Sequence, residues 1–224
     1  MKYKINKKFK IMEKEEDLIE DIISHNLLFV ASSMDKENWV LLKNGIRGPL
    51  FFDTSKIIGY PSLMQKITQF AADIIKEEKI DYDLIAGAPY GGLPLSYYLA
   101  YNLKSPCLTL RKDGVKKNGT MPTSGEILGV FKKDDKVLIV EDAVLSANTV
   151  IKFASRLRNT GLKITDALAI VDVGRGGTEN LKNQNIRLHS LFEWKDLYNC
   201  YKIKKSHLLN SEIKNYLDDI FKDK

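Results

Sequence analysis

The chain has 224 residues with 44% hydrophobic content, enough for one large domain or for a domain with an appendage. It has no apolar run of about 18 residues, and no apolar segment follows its basic N-terminus, so we expect neither a membrane span nor a secretory signal. The net charge of +6 is spread along the chain without a zinc-finger, helix-turn-helix or RNA-binding motif, which disfavours nucleic acid as a partner. Two cysteines, Cys107 and Cys200, are too few for a disulfide framework or a metal quartet, and they predict reduced thiols in a cytoplasmic protein.

The N-terminal part of the chain predicts a small hood. Apolar residues at a spacing of three to four predict a helix over residues 14–30. Residues 39–53 are typical of strands, with a hairpin turn at Asn44-Gly45. Because this segment lacks the strand–helix alternation of the later sequence, we expect a hood over residues 1–55 and a separate core over residues 56–224.

From residue 60 onward, predicted helices and strands alternate. Alternation of this kind is typical of a doubly wound α/β fold with a mainly parallel sheet and helices on both faces. The predicted strands cover residues 83–86, 107–110, 137–140, 167–172 and 186–194. One predicted helix begins at about Tyr60, and a second follows the glycine-rich segment 87–94 and ends near Leu103. Two more cover about residues 148–158 and 211–221.

Residues 112–129 have neither a helical nor a strand period. They contain four glycines, a proline and three lysines. A loop of this length inside a compact domain is usually a lid or a binding loop, although a floppy insertion is the simpler alternative. We expect a flexible lid.

The most informative stretch is the apolar run 137–140, which leads directly into Glu141-Asp142. Ligands of parallel sheets bind outside the carboxyl ends of the strands, where these acids are predicted to lie. The loop 143–149 then opens a helix whose free N–H groups can hold an anion. An acidic pair on its own more often merely ends a strand, but here it predicts a ribose 5-phosphate site.

Two further loops strengthen this prediction. Gly87-Ala88-Pro89-Tyr90-Gly91-Gly92 follows a strand, and its glycines let the backbone approach an anion. A basic loop starts at Arg111 after the next strand. Together, the three loops are suited to phosphoribosyl diphosphate.

On these motifs the chain resembles the orotate phosphoribosyltransferases, in particular the orotate domain of UMP synthases. The resemblance extends to 40–45 and 49–53 in the hood, to Arg111-Lys112-Asp113 with 116–120 in the lid, and to 171–190 in the last strands. It implies the type I phosphoribosyltransferase fold and transfer of a phosphoribosyl group from phosphoribosyl diphosphate to orotate.

The resemblance also implies roles for individual residues. Lys116 would neutralise charge on the departing pyrophosphate together with Mg²⁺ held mostly by substrate and water, and Glu141 and Asp142 would bind the ribose hydroxyls. The catalytic group is thus Lys116, Glu141 and Asp142, with no metal-ligating side chain. A homodimer is expected in which each lid reaches the partner's site. The residues expected to bind substrate are Lys43, Phe51, Phe52, Tyr90, Gly91, Arg111, Lys112, Asn118, Ala143, Val144, Leu145, Ser146, Ala147, Asn148, Thr149 and Arg175.

Four positions depart from the family pattern. Leu145 replaces a hydroxyl residue, Ala147 a glycine, Asn118 a lid histidine and Val173 the arginine that contacts the orotate carboxylate. Ala147 is compatible with the phosphate loop if its φ is negative. Arg175, two residues beyond Val173, would point to the same side of an extended chain. The alternatives are a transferase for another base, a catalytically impaired homologue, and a basic RNA-binding regulator on the same fold.

Two other side-chain types have simpler explanations. His189 lies in an apolar strand and is expected to be a hydrogen-bonded core histidine. The hood phenylalanines Phe51 and Phe52 are as compatible with core packing as with contact to a base.

Overall fold

The computed structural model describes residues 14–41, 45, 47–111 and 126–222. These residues form two compact units. The larger unit covers residues 64–193, and the smaller one combines residues up to 63 with residues from 194 onward. None of the helices within the described ranges is long and apolar enough to cross a membrane.

The larger unit is built on a six-stranded sheet with the strand order β10-β9-β8-β5-β6-β7. All neighbouring pairs are parallel except β6 and β7, which are antiparallel. The strands are β5 (Leu84–Gly87), β6 (Cys107–Leu110), β7 (Ile127–Leu128), β8 (Lys136–Val144), β9 (Lys163–Asp172) and β10 (Arg187–Glu193). The predicted mainly parallel α/β fold is confirmed.

Helices flank this sheet because βαβ crossovers place them on its faces. They are α2 (Pro61–Glu77), α3 (Gly92–Leu103), α4 (Asn148–Arg158) and α5 (Gly177–Lys182). The central strands are buried along most of their length, with Ile85, Leu138 and Ile139 fully enclosed. This burial explains the continuous apolar runs in the sequence.

The smaller unit joins both ends of the described chain. It contains α1 (residues 14–24), β1 (Leu28–Val30), β2 (Val40–Leu41), β3 (Arg47–Gly48), β4 (Leu50–Phe52), α6 (Trp194–Lys204) and α7 (Ser211–Lys222). Lys204 pairs with Glu20, and the rings of Trp39 and Tyr216 lie 5.5 Å apart. The predicted boundary between hood and core lay near residue 55, with the C-terminal helix in the core. In the structure, α6 and α7 belong to the same unit as the N-terminal segment.

Several predicted boundaries differ from the observed ones. The helix predicted over 14–30 ends at residue 24, because Asn26 adopts a left-handed conformation and Leu27 N–H bonds to Ile22 O, closing the helix in a Schellman motif. Trp194 begins α6 rather than ending a strand. The predicted hairpin is present as the antiparallel pair β2–β3.

The lid predicted over 112–129 is shorter than expected at its C-terminal end. Ile127 and Leu128 form the edge strand β7, with Leu110 paired to Ile127. Residues 112–125 lie outside the described residues.

Candidate active site

The acidic pair lies within β8 and not beyond its end. The predicted strand 137–140 continues to Val144, because β9 pairs with Ala143 and Val144. Adjacent strand residues project to opposite faces, so Glu141 and Asp142 have different environments. Glu141 is 5% exposed and accepts a hydrogen bond from Asp142 N–H at 3.0 Å. Asp142 is half-buried and accepts from Ala143 N–H at 2.9 Å.

The predicted diphosphate loop contacts Asp142 directly. A Cβ built on Gly91 would lie 2.2 Å from Asp142 Cγ, and one on Gly92 would lie 2.1 Å from Val140 O. Ala88 N–H donates to Val140 O at 2.8 Å. Only glycine fits at Gly91 and Gly92, and their lack of side chains brings the loop against the acidic strand.

The predicted phosphate loop connects β8 to α4 over residues 145–147. Leu145, Asn148 and Thr149 are exposed, and Ser146 is half-buried. Val144 and Ala147 are buried, so any contact that they make with a substrate is more readily made by their backbone.

Ala147 precedes α4 with φ 62° and ψ 11°. A negative φ, the condition under which alanine at this position was considered compatible with the loop, is therefore not met. A left-handed conformation costs a residue with a Cβ roughly 1–2 kcal/mol, and glycine avoids that cost. The left-handed conformation explains why the family pattern that the sequence resembles has glycine at this position.

Helix α5 packs closely on this loop. A Cβ on Gly177 would lie 2.5 Å from Leu145 O. Asn180 Nδ2 donates to Ser146 O at 3.1 Å. Asn180 was not predicted from the sequence, where nothing marks it apart from other surface asparagines.

Arg175 lies in the connection between β9 and α5, which is not extended. Gly174 and Gly176, on either side of it, have φ 67° and 84°. Asp172 accepts from Gly174 N–H at 2.8 Å and from Thr178 Oγ1 at 2.7 Å, which folds the segment back on itself. The premise that Val173 and Arg175 share one side of an extended strand is wrong. Arg175 is exposed at the tip of this loop.

Arg111 lies where the basic loop leaves the sheet. Its N–H donates to Glu126 O at 2.8 Å, and its carbonyl accepts from Arg156 Nη2 at 2.8 Å. Arg156 also pairs with the Glu126 carboxylate. The two stems of the basic loop are thereby tied to α4, the helix that follows the phosphate loop. No motif marks Arg156 or Glu126 as partners, because they are 30 residues apart along the chain.

Comparisons with known proteins agree with this geometry. The phosphoribosyl transferase domain family matches residues 54–195. The orotate phosphoribosyltransferase of Saccharolobus solfataricus is 30% identical over 204 residues, which are 91% of this chain and 96% of that protein. The chain belongs to the orotate phosphoribosyltransferase family.

Two further comparisons define the extent of the likeness between this family member and known proteins. The uridine 5'-monophosphate synthase of Bos taurus is 35% identical over 151 residues, which are 67% of this chain but only 31% of the bovine protein. The solved orotate phosphoribosyltransferase of Mycobacterium tuberculosis H37Rv in complex with 5-phospho-alpha-D-ribosyl 1-diphosphate shares the fold, with a TM-score of 0.63 at 17% identity over 83% of this chain and 99% of that one.

Several residues predicted from the family pattern are not located by the structure. Lys43, Lys112, Lys116 and Asn118 lie outside the described residues. The hood phenylalanines are in β4 of the smaller unit, where Phe52 is 3% exposed and Phe51 is half-buried. Of the two rings, that of Phe51 is the more accessible to a ligand.

Three further titratable side chains, those of Cys107, Cys200 and His189, are explained by their packing in the fold. Burial raises the pKa of the thiols of Cys107 and Cys200, which keeps them protonated at neutral pH. His189 is buried and its Nε2 lies 2.8 Å from Asp166 Oδ1, so the prediction of a hydrogen-bonded core histidine is confirmed. Among the described residues, no group of three or more His, Cys, Asp or Glu side chains is arranged to hold a metal ion.

Proposed function

We propose that this protein transfers the phosphoribosyl group from phosphoribosyl diphosphate to orotate, giving orotidine 5'-monophosphate and pyrophosphate. The observation that carries the proposal is the contact between the Gly91 backbone and the Asp142 carboxylate, beside a loop that opens α4. In the proposal, the loop of Gly91 binds the diphosphate, Asp142 binds the ribose and the loop before α4 binds the 5'-phosphate. The similarity to the Saccharolobus solfataricus enzyme along almost its whole length supports orotate as the base.

The proposed mechanism uses positioning and electrostatics instead of a covalent nucleophile. The bond between the sugar C1 and pyrophosphate breaks as a ring nitrogen of orotate bonds to C1. Asp142 and Glu141 hold the ribose hydroxyls, and the backbone N–H groups of residues 145–149 hold the 5'-phosphate. Arg111, Lys112, Lys116 and Asn118 act from the basic loop, where Lys116 neutralises charge on the leaving pyrophosphate.

Mg²⁺ is included in the proposal as a cofactor. Among the described residues, Asp142 is a half-buried carboxylate beside the loop of Gly91, and no group of three or more His, Cys, Asp or Glu side chains forms a protein cage. That donor set fits Mg²⁺, which keeps several waters and binds through one or two carboxylates together with substrate phosphates. When bound, the ion would neutralise charge on the diphosphate.

The proposal also includes a homodimer acting in the cytoplasm. Tyr97 and Tyr101 are one turn apart on α3, 50% and 84% exposed, and line a groove together with Cys107. Exposed aromatic residues of this kind are typical of protein–protein contacts. Cys107 begins β6 and Arg111 follows its end, so a second copy seated on this groove would lie about 13 Å from the stem of the basic loop. The unpaired cysteines favour a reducing compartment.

The decisive experiment measures product formation from phosphoribosyl diphosphate with orotate and, separately, with uracil, adenine and hypoxanthine. We expect turnover with orotate that requires Mg²⁺ and is lost on chelation. A matched Asp142→Asn variant should lose most activity, whereas Asp81→Asn, at an exposed surface ion pair, should not. A clear preference for another base would overturn the substrate assignment, and absence of turnover with every base would overturn the activity.

A further inference from the structure

Asn180 connects α5 to the phosphate loop. Its side-chain amide donates to Ser146 O at 3.1 Å, from a helix whose first residue, Gly177, is already packed against Leu145 O. These two contacts come from one side of the loop. They act on consecutive residues of the segment that is expected to surround the 5'-phosphate.

The hydrogen bond fixes the orientation of one peptide unit. In a trans peptide the carbonyl and the N–H point in opposite directions. Because the Ser146 carbonyl points to Asn180, the Ala147 N–H points away from α5. Ala147 O in turn accepts from Ile151 N–H at 2.9 Å, which begins the hydrogen bonding of α4. The Ala147 N–H, which precedes the helix, is therefore held in a defined direction.

This support has a particular importance in this chain. Ala147 has a φ of 62°, where a residue with a Cβ is disfavoured, and it is buried. An alanine in isolation would leave this conformation far more readily than a glycine would. Contacts from α5 oppose that change, since rotation of the 146–147 peptide breaks the bond to Asn180.

On the basis of the function given above, we propose that Asn180 is a positioning residue for the 5'-phosphate of the phosphoribosyl substrate. It holds the Ser146–Ala147 peptide so that the loop N–H groups face the phosphate, and it compensates for alanine at position 147. Asn180 itself does not contact the substrate in this proposal. Its effect is confined to the phosphate loop and does not extend to the diphosphate loop.

The test is isothermal titration of the wild-type protein and of Asn180→Ala with two probes, ribose 5-phosphate and inorganic pyrophosphate. Loss of one hydrogen bond should raise the Kd for ribose 5-phosphate by roughly two- to tenfold and leave that for pyrophosphate unchanged. In steady-state assays, KM for phosphoribosyl diphosphate should rise in proportion, with kcat and KM for orotate close to wild type. Asn183 is also an exposed asparagine and directly follows the last residue of α5. Asn183→Ala is therefore the matched control and should bind both probes normally.

A double-mutant cycle separates positioning from a general loss of stability. Glycine adopts the left-handed conformation without help, so in an Ala147→Gly background the effect of Asn180→Ala should fall below about twofold. An effect of equal size in both backgrounds, or equal weakening of both probes, would overturn the inference while leaving the proposed function intact. If the wild-type protein binds neither ribose 5-phosphate nor phosphoribosyl diphosphate, the proposed function fails and the inference fails with it.

Discussion

If the protein uses orotate as proposed, we expect recognition of the base to depend most on Arg175. A carboxylate in a closed site requires a cation, and Val173 cannot supply one. Arg175 stands at the tip of a loop between two left-handed glycines, and Asp172 holds the base of that loop. The hydrogen bonds of Asp172 fix the start of the loop, and the exposed position of Arg175 at its tip lets the guanidinium sample more positions than it could on an extended strand.

We therefore expect Arg175→Ala to raise KM for orotate by roughly 10- to 100-fold, the cost of losing a hydrogen bond to a charged group, with little effect on phosphoribosyl diphosphate. Arg175→Lys should restore only part of the affinity, because lysine lacks the two-pronged donor geometry that fits a carboxylate. Steady-state kinetics with each substrate varied in turn measures both constants. Wild-type KM values in Arg175→Ala would exclude this arginine as the orotate ligand.

Lys116 is expected to act mainly in the transition state. Its charge is most useful while pyrophosphate departs, so Lys116→Ala should lower kcat by roughly 10²–10³ and change ground-state binding much less. Single-turnover kinetics together with titration of phosphoribosyl diphosphate separates the two effects. The neighbouring Lys117→Ala serves as the comparison, and a kcat equal to wild type in Lys116→Ala would remove this lysine from the mechanism.

At this scale the sequence could identify residue types but not backbone conformations. The acidic pair, the glycines and the replacement of an arginine by Val173 could be recognised from the residue types alone. The positive φ of Ala147 could not be predicted from residue types, because its loop is contacted by Asn180 of α5, 34 positions beyond Ser146. The folded path around Arg175 depends on hydrogen bonds that Asp172 accepts from Gly174 and Thr178, which residue types alone do not specify. The hydrogen bond from Asn180 belongs to the same class of information.

The lengths of elements were set by their neighbours. β8 continues through the charged pair because β9 provides hydrogen-bonding partners as far as Asp172. Apolar content alone ended the predicted strand at residue 140. By contrast, the end of α1 could have been predicted from the sequence, because asparagine often closes helices and Asn26 does so here. The prediction of a helix to residue 30 did not take Asn26 into account.

The pair β9–β10 contains a buried carboxylate, Asp166, that should make stability depend on pH. His189 Nε2 and Arg187 Nε lie 2.8 and 3.1 Å from Asp166 Oδ1. Burial by itself would raise the pKa of Asp166, but the hydrogen bonds from His189 and Thr165 and the charge of Arg187 outweigh it and lower the pKa. A lowered pKa in the folded state means that the carboxylate stabilises the fold above its ordinary pKa of about 4 and stops doing so as the pH falls below it.

Asp166→Asn should accordingly cost roughly 1–3 kcal/mol of unfolding free energy at pH 7. The difference from wild type should shrink as the pH falls below about 4 and through the lowered pKa of the folded carboxyl, where the wild-type side chain becomes protonated. Urea unfolding at several pH values measures this. Asp134→Asn removes an exposed ion pair with Lys163 and should change stability little at any pH. A pH-independent difference for Asp166→Asn would show that charge is not responsible.

For the whole molecule, we expect a homodimer that uses the tyrosine surface of α3. Tyr101→Asp places a charge at the most exposed ring of the groove, so it should shift the protein to a monomer and reduce activity if the lid acts on the partner's site. Tyr101→Phe keeps the apolar ring and should leave both properties unchanged. Sedimentation at micromolar concentration combined with activity assays tests the prediction. A wild-type monomer with full activity would refute it.

The smaller unit contains chain segments from both sides of the sheet unit, with Glu20 of α1 paired to Lys204 of α6. During synthesis on the ribosome, α1 and β1–β4 emerge first, and all of residues 64–193 follow before α6 appears. The sheet unit can bury its own strands in that interval, whereas the pair of Glu20 with Lys204 can form only after α6 has been made. Translation of the residues after 193 therefore sets the moment at which the smaller unit can be completed.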